Sequence, residues 1–279
     1  GYVRQFIARF EKALIKPILS ASVPMGLTAI LGVVMINTDI VLLGWLTDAT
    51  SVGLFAAAQK PVTLLYSIPA LIATAIFPAL ARFAQTDKKK FRLLIEKGLT
   101  AVLLFAFPIT IGLLLAGKEI IQLLYGAEYL PAVITLQILS LTLITMSPIN
   151  VLYNGVFAYD KQRFFVQIGV IGVTANAILD VILIPFLGIV GCAIATVFTQ
   201  IITSVLIWSK MKQINDFKVL GDLKKIFIAT LVMAGGVWVL LQTSLHILLI
   251  VTLAGLIYFG TLLLIREKLF TNLKTILAG

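Results

Sequence analysis

Residues 36–63 read INTDIVLLGWLTDATSVGLFAAAQKPVT, two apolar runs that are separated by a short polar turn around Asp48. Each run continues outward into a segment long enough to cross a bilayer, which takes about 20 mostly apolar residues. The stretch therefore predicts a hairpin of two membrane-spanning helices. It also places Asp39 and Lys60 inside those helices, where a charge costs about 2.5–3.5 kcal/mol on insertion scales.

The composition of the whole chain is that of an integral membrane protein. Of its 279 residues, 60% are hydrophobic and 12% are charged, whereas a soluble domain has about 45–50% apolar and about 25% charged residues. The mean hydropathy is +1.09. The only cysteine, Cys192, excludes an internal disulfide, and the only histidine, His246, argues against a histidine-based metal or catalytic site.

The apolar segments predict an all-α fold, a polytopic transmembrane helix bundle with about eight spanning helices. The segments cover residues 18–46, 52–81, 93–116, 132–157, 164–186, 189–209, 225–243 and 246–265. Apart from Lys60, Lys97 and Lys118, the 22 Lys and Arg residues fall in the two ends of the chain or in every second connection. Because basic residues collect on the cytoplasmic side, we expect both ends to be cytoplasmic in a plasma or inner membrane. This topology explains the net charge of +10, so we expect no nucleic-acid partner.

The same pattern divides the chain into five parts. Residues 1–17 predict a basic amphipathic connector on the inner membrane surface, with a solvated connector as the alternative. A six-helix transmembrane lobe follows at 18–209, then a cytoplasmic loop at 210–224. Residues 225–265 predict two additional transmembrane helices, and residues 266–279 a cytoplasmic tail.

The two charges of the hairpin sit at similar depths. At about 1.5 Å per residue their depths differ by about 6 Å, which a lysine side chain can cover, and Asn37 and Gln59 add polar atoms at that level. We predict that Asp39 and Lys60 meet inside the protein, and we take all four residues as substrate- or ion-binding candidates. Three interpretations stay open. The pair lines a water-filled cavity in which Lys60 attracts an anionic headgroup and Asp39 binds a coupling H⁺ or Na⁺, or it is a neutralised structural pair, or Lys60 reaches the outer headgroups.

Two further pairs of polar residues are weaker candidates. Asn176 and Asp180 share a helical face, and we expect Asp180, near the outer end of its helix, to be solvated at the interface. Asn150 and Asn154 repeat this spacing, and we expect helix–helix hydrogen bonds rather than substrate contacts. We find no phosphate-binding glycine loop, metal-ligand cluster or nucleophile–base pair, so we expect neither an enzyme nor a cofactor beyond a coupling H⁺ or Na⁺.

Several short motifs carry a family resemblance. They are DIVLLG at 39–44 with VGLFAAA at 52–58, PALAR at 78–82, IIQLLYGAEYLPA at 120–132 and LGIVGCA at 187–193. In this order and spacing, over most of residues 14–212, they resemble the O-antigen type polysaccharide flippases of the multidrug, oligosaccharidyl-lipid and polysaccharide exporter superfamily. The resemblance implies two six-helix lobes and two further helices, so this chain, which starts with Gly1, would be the C-terminal portion and the N-terminal lobe would be missing.

The resemblance also implies a function. It implies a transporter that flips a lipid-linked oligosaccharide or polysaccharide precursor from the cytoplasmic to the outer leaflet by alternating access, in cell-envelope synthesis. Its partners would be membrane lipid, the lipid-linked glycan and the N-terminal lobe. Two alternatives stay open: a drug/cation antiporter of the same superfamily, in which Asp39 serves cations, and a non-transporting membrane scaffold. The missing catalytic motifs disfavour a lipid-modifying enzyme.

Overall fold

Every regular element that the structure describes is a helix. The computed structural model describes residues 11, 13, 15–161 and 163–265, except for the side chains of 21 and 220–222. The helices are α1 (Ile15–Leu46), α2 (Ala49–Leu65), α3 (Ser67–Ala84), α4 (Lys88–Tyr125), α5 (Val133–Ser140), α6 (Thr142–Phe157), α7 (Arg163–Ile214), α8 (Leu220–Leu240) and α9 (Ile247–Leu264), with a 3₁₀ turn at Ala127–Ala132. The predicted all-α class is confirmed.

Within the described residues, seven helical segments are long and apolar enough to cross a membrane, and one of them, α7, is long enough to cross twice. α7 has 52 residues, about 78 Å of helix against a bilayer core of about 30 Å. It breaks at Gly188, whose φ of 56° and ψ of −133° are not helical. A Cβ on Gly191 would lie 2.5 Å from the carbonyl oxygen of Leu183, so the two limbs fold back on each other. The predicted count of about eight is confirmed.

The hairpin predicted from residues 36–63 is present. α1 ends at Leu46, and Asp48 caps α2 by accepting a 2.7 Å hydrogen bond from the Ser51 backbone N–H. This bond lowers the pKa of the exposed Asp48 carboxyl below its usual value. Because the pKa is lower in the folded chain, the cap stabilises the fold at neutral pH and weakens as the pH falls below about 4.

α4 is the most buried of the spanning helices and organises the core. One apolar cluster joins it to α3, α6 and α7, and a second joins it to α1, α2, α5 and the α7 hairpin. A third cluster packs α8 and α9 on α4, where the Tyr258 hydroxyl donates a 2.7 Å hydrogen bond to the Leu104 carbonyl. α1 and the α2–α3 segment are the least buried spans, so most of their surface faces away from this core.

The connections rich in Lys and Arg, which include Lys88–Lys90, Lys161 and Lys218, lie at one end of the bundle. We call it the basic end. There the linker between α7 and α8 is tied to the start of α4. Arg92 Nε donates to Asn215 Oδ1 at 3.3 Å, and the Asn215 amide donates to the Lys88 carbonyl at 3.1 Å. The Glu96 carboxylate accepts a 2.7 Å bond from the Lys218 backbone N–H. These bonds hold the linker across the first turns of α4.

The largest difference between the predicted and the observed helix boundaries is at α4. α4 runs to Tyr125 rather than ending near residue 116, because the helix continues after a kink at Ala116, with φ of −104° and ψ of 17°. Most of the predicted connector 1–17 and the whole predicted tail 266–279 lie outside the described residues.

Candidate functional site

Two buried carboxylates lie close together inside the bundle, Asp39 on α1 and Asp180 on the first limb of α7. Asp39 is 2% exposed and Asp180 is 0% exposed. One oxygen of each carboxylate and the Sγ of Cys192, on the second limb, all lie within 4.8 Å of one another. A straight helix would hold Asp180 and Cys192 about 18 Å apart, so the break at Gly188 is what brings them together.

An amide and a hydroxyl complete the arrangement. Thr196 Oγ1 donates to Asp39 Oδ2 at 2.9 Å, with the Cys192 carbonyl as an alternative acceptor at 3.0 Å. Asn176, one turn before Asp180, is 1% exposed. We call these five residues the acid cluster. In the part of the chain that the structure describes, four of its buried oxygens have no hydrogen-bond partner: Asp39 Oδ1, Asn176 Oδ1 and both oxygens of Asp180.

The acid cluster opens on a cavity of about 270 Å³ between α1, α2, α5, α6 and α7. The wall is largely apolar, with polar side chains at intervals. The polar residues are Thr28, Asp39, Gln59, Thr63, Tyr66, Tyr153, Asn176, Thr196, Gln200 and Thr203. Because Asp39, Asn176 and Thr196 line the cavity themselves, a small cation or a water molecule inside it can reach the cluster.

The predicted ion pair between Asp39 and Lys60 is wrong. No contact within 4 Å joins their charged groups, and Lys60 is exposed whereas Asp39 is buried. The two residues do lie on neighbouring helices, but Asp39 turns toward α7 and Lys60 turns away from the core. Equal depth along a hairpin does not fix the direction in which each side chain leaves its helix.

The predicted interfacial solvation of Asp180 is also wrong. Its position near the outer end of its helix suggested access to water, yet it is fully buried. The second limb of α7 folds back beside it after Gly188, so Cys192 occupies the side on which solvent was expected. Asn176 and Asp180 do share a helical face as predicted, but this face is part of the buried acid cluster.

Of the polar residues predicted beside Asp39, the structure places one at the cavity. Gln59 lines it. Asn37 is exposed and donates to the Val33 carbonyl of its own helix at 2.7 Å. Gln59 therefore stays a candidate for contact with a substrate, whereas Asn37, like Lys60, lies outside this cavity.

Asn150 and Asn154 do not line the cavity either. Asn154 donates to the Ala73 carbonyl of α3 at 2.8 Å, which confirms the predicted helix–helix bond for this residue. Asn150 donates to the Met146 carbonyl of its own helix at 3.1 Å, so the helix–helix prediction is wrong there. The pair shares a spacing but not a role.

This difference gives a stability prediction. We expect Asn154→Ala to lower the free energy of unfolding by about 1 kcal/mol, because it removes a hydrogen bond between two helices. Asn150→Ala, the matched control, removes a bond within one helix and should lower it less. Thermal unfolding of the purified protein in detergent measures both, and equal shifts in Tm would contradict the assignment.

The sequence interpretation missed four residues on the second limb of α7, namely Cys192, Thr196, Gln200 and Thr203. The signal that could have identified three of them was the regular spacing of polar residues in the sequence. Thr196, Gln200 and Thr203 recur every three to four residues, which places them on one face of an otherwise apolar helix. Such a polar stripe indicates a face turned to a cavity or to another helix.

The chain is similar in sequence to several known proteins. A family described as "Polysaccharide biosynthesis protein" matches residues 2–134. The probable flippase AglR of Haloferax volcanii is 30% identical over 176 residues, which is 60% of this chain and 36% of the relative. The probable low-salt glycan biosynthesis flippase Agl15 of the same organism is 26% identical over 245 residues, 84% of this chain and 52% of the relative. The resemblance to polysaccharide flippases is confirmed.

A solved structure agrees with this family at the level of the fold. The lipid II flippase MurJ in its inward closed conformation superposes with a TM-score of 0.74 at 22% identity, covering 89% of this chain and 53% of that one. The chain therefore shares the helical fold of that protein over most of its length. It spans about a third to a half of the length of the two curated relatives described above.

Proposed function

We propose that this chain is the C-terminal lobe, with two additional helices, of a transporter that flips a lipid-linked oligosaccharide or polysaccharide precursor from the cytoplasmic to the outer leaflet by alternating access. Two relatives named as flippases and the fold of a third support the proposal. The greater length of the relatives supports an N-terminal lobe that would complete a central cavity.

The observation that carries a transport function is the acid cluster beside the cavity. Two ionised carboxylates within 4.8 Å repel each other by about 3 kcal/mol or more at an effective dielectric constant of about 20. A bound proton or cation would relieve this repulsion. Carboxylate, amide and hydroxyl oxygens are ligands that hard cations prefer, and broken helices are typical positions for the coupling ions of transporters. We assign the acid cluster as the coupling site for H⁺ or Na⁺.

We take the basic end as the cytoplasmic end, following the charge rule for membrane loops. Both ends of this chain are then cytoplasmic, with residues 18–209 as the lobe, 210–224 as a cytoplasmic loop and 225–265 as the additional pair. Asp39 lies about 10 Å before the opposite end of α1, which supports our proposal that the acid cluster lies in the outer half of a plasma or inner membrane.

Lys60 has a different role in this proposal. It is exposed in the middle of a spanning segment, together with Thr63 one turn later. A charge in this position is costly unless it faces water, an anion or another part of the protein. We propose that the N-terminal lobe faces α1 and α2, and that Lys60 attracts the anionic diphosphate of the lipid carrier between the lobes.

This role predicts a specific loss. Lys60→Met in the complete transporter should reduce flipping about tenfold or more, because a hydrogen bond to a charged group contributes about 1.5–3 kcal/mol. Lys118→Met, which removes an exposed lysine at the far end of α4, is the matched control and should leave flipping unchanged. Accumulation of lipid-linked precursor in cells that depend on each variant, at equal protein level, measures the effect. Wild-type flipping by Lys60→Met would remove Lys60 from the site.

A drug/cation antiporter is the second candidate, and one observation favours it. The described lining of the cavity contains Asp39 but no Lys or Arg, so the charge of this cavity suits a cation. Deletion of the gene separates the candidates. Loss of a flippase causes lipid-linked glycan to accumulate, loss of an antiporter makes cells sensitive to organic cations, and a non-transporting scaffold gives neither result.

A further inference from the structure

An open groove of about 680 Å³ lies at the basic end, between the start of α1 and the two ends of α7. It is separate from the cavity at the acid cluster. Among the residues that the structure describes, its charged lining is Lys161, Arg163, Lys210 and one carboxylate, Asp160. The groove therefore has an excess of positive charge at the end where the charge rule for membrane loops puts the cytoplasmic headgroups.

The three cations are available to a ligand. Within the described residues, none of them forms an ion pair within 4 Å with a carboxylate. Lys210 Nζ lies 5.1 Å from the ring centre of Phe164, which holds the ammonium group beside the groove. Arg163 is the first residue of α7, where the helix dipole also favours an anion.

A second space, a shallow open trough of about 720 Å³, adjoins this groove along α1. Its lining includes the apolar residues Ile15, Leu19 and Val23 and one cation, Lys16, and it shares Ser20, Pro24 and Arg163 with the charged groove. The two spaces thus present cations near the start of α1 and apolar side chains further along it. That combination matches an amphiphile with an anionic head and an alkyl or prenyl chain.

We propose that this composite groove binds the phosphate of a membrane lipid, with its chain lying along α1. The shared chemistry is a lipid-borne phosphate, whether on a resident anionic phospholipid or on a prenyl diphosphate carrier. The groove occupies α1 up to Pro24, and the cavity lining begins on the same helix at Thr28. A lipid held here is therefore one helical turn from the cavity. This site does not depend on the proposed transport function.

The test is native mass spectrometry of the complete protein in a neutral detergent. The probes are dioleoyl phosphatidic acid, a long-chain prenyl diphosphate, dioleoyl phosphatidylcholine and inorganic pyrophosphate. We expect both anionic lipids or one of them to bind, and the variant Lys161→Gln/Arg163→Gln/Lys210→Gln to lose about tenfold or more in affinity. The matched control, Lys88→Gln/Lys89→Gln/Lys90→Gln, makes the same charge change at the same end, where all three residues are exposed, and should lose at most about twofold.

A second variant tests the apolar part. Ser20→Trp fills the junction of the two spaces and should weaken lipid binding while leaving the three cations in place. Binding of phosphatidic acid alone identifies a resident phospholipid, and selective binding of the diphosphate identifies the carrier. Equal losses in the two triple variants, binding of pyrophosphate without either lipid, or equal binding of phosphatidylcholine would each overturn the proposal.

Discussion

Asp180→Asn in the complete protein is expected to abolish transport together with the response to the coupling cation. In the wild type, a cation at about 100 times its Kd should raise the free energy of unfolding by about 2.7 kcal/mol, and the variant should show no such rise. Without the cation the variant should be at least as stable as the wild type. Asn keeps the shape of the side chain, and the exchange removes one of two carboxylate charges that repel each other. Both carboxylates are buried, since Asp180 is 0% and Asp39 is 2% exposed.

Thermal unfolding in Na⁺ and in choline at equal ionic strength, and across a pH series, measures the response. Glu128→Gln, which changes an exposed acid in the turn after α4, is the control and should behave as wild type. Stabilisation by Na⁺ identifies Na⁺ as the ion, and stabilisation by acid alone identifies H⁺. If Asp180→Asn transports normally, the two carboxylates serve packing only.

The second large effect concerns the α7 hairpin. Gly191→Ala is expected to reduce the free energy of unfolding by about 3 kcal/mol or more, because the added Cβ would lie 2.5 Å from the Leu183 carbonyl oxygen and 2.7 Å from its carbon. Both are backbone atoms and cannot rotate away. The limbs would have to separate, which would also move Asp180 away from Cys192.

Gly112→Ala is the matched control, since a Cβ there meets nothing within 4 Å and Ala favours a helix over Gly. It should leave the yield of folded protein unchanged or raise it. Size-exclusion chromatography of the expressed variants, followed by thermal unfolding, compares them. A Gly191→Ala protein with wild-type yield and Tm would contradict the packing described for the hairpin.

The fold could be predicted from the sequence because its signals are long and repeated. Each apolar segment is close to the length that a bilayer requires, and the basic residues alternate from one connection to the next. The turn at Asp48 and the break at Gly188 both fall where the apolar runs are interrupted. The largest miss was the extension of α4 to Tyr125, because the residues after the kink at Ala116 look like a polar connection in sequence.

The site was harder to predict because it depends on the direction in which each side chain leaves its helix, as well as on the depth of the residue along the helix. The sequence identified Asp39, Asn176 and Asp180 as unusual, and the structure joins them. The sequence did not show that they face one another, because that contact depends on how α1 is oriented about its axis relative to both limbs of α7. The choice of Lys60 as the partner of Asp39 rested on opposite charge, whereas the structure brings together two like charges beside Thr196.

The last two helices are attached to α4 at two levels. Tyr258 bonds to the Leu104 carbonyl within the span, and the linker that precedes α8 is held by Glu96 and Asn215 at the basic end. Two attachments along one helix axis restrict the rotation of this pair relative to α4. In the proposed alternating-access cycle we therefore expect α8 and α9 to move with α4, so that a spectroscopic label on α9 reports the tilt of α4 rather than a local motion.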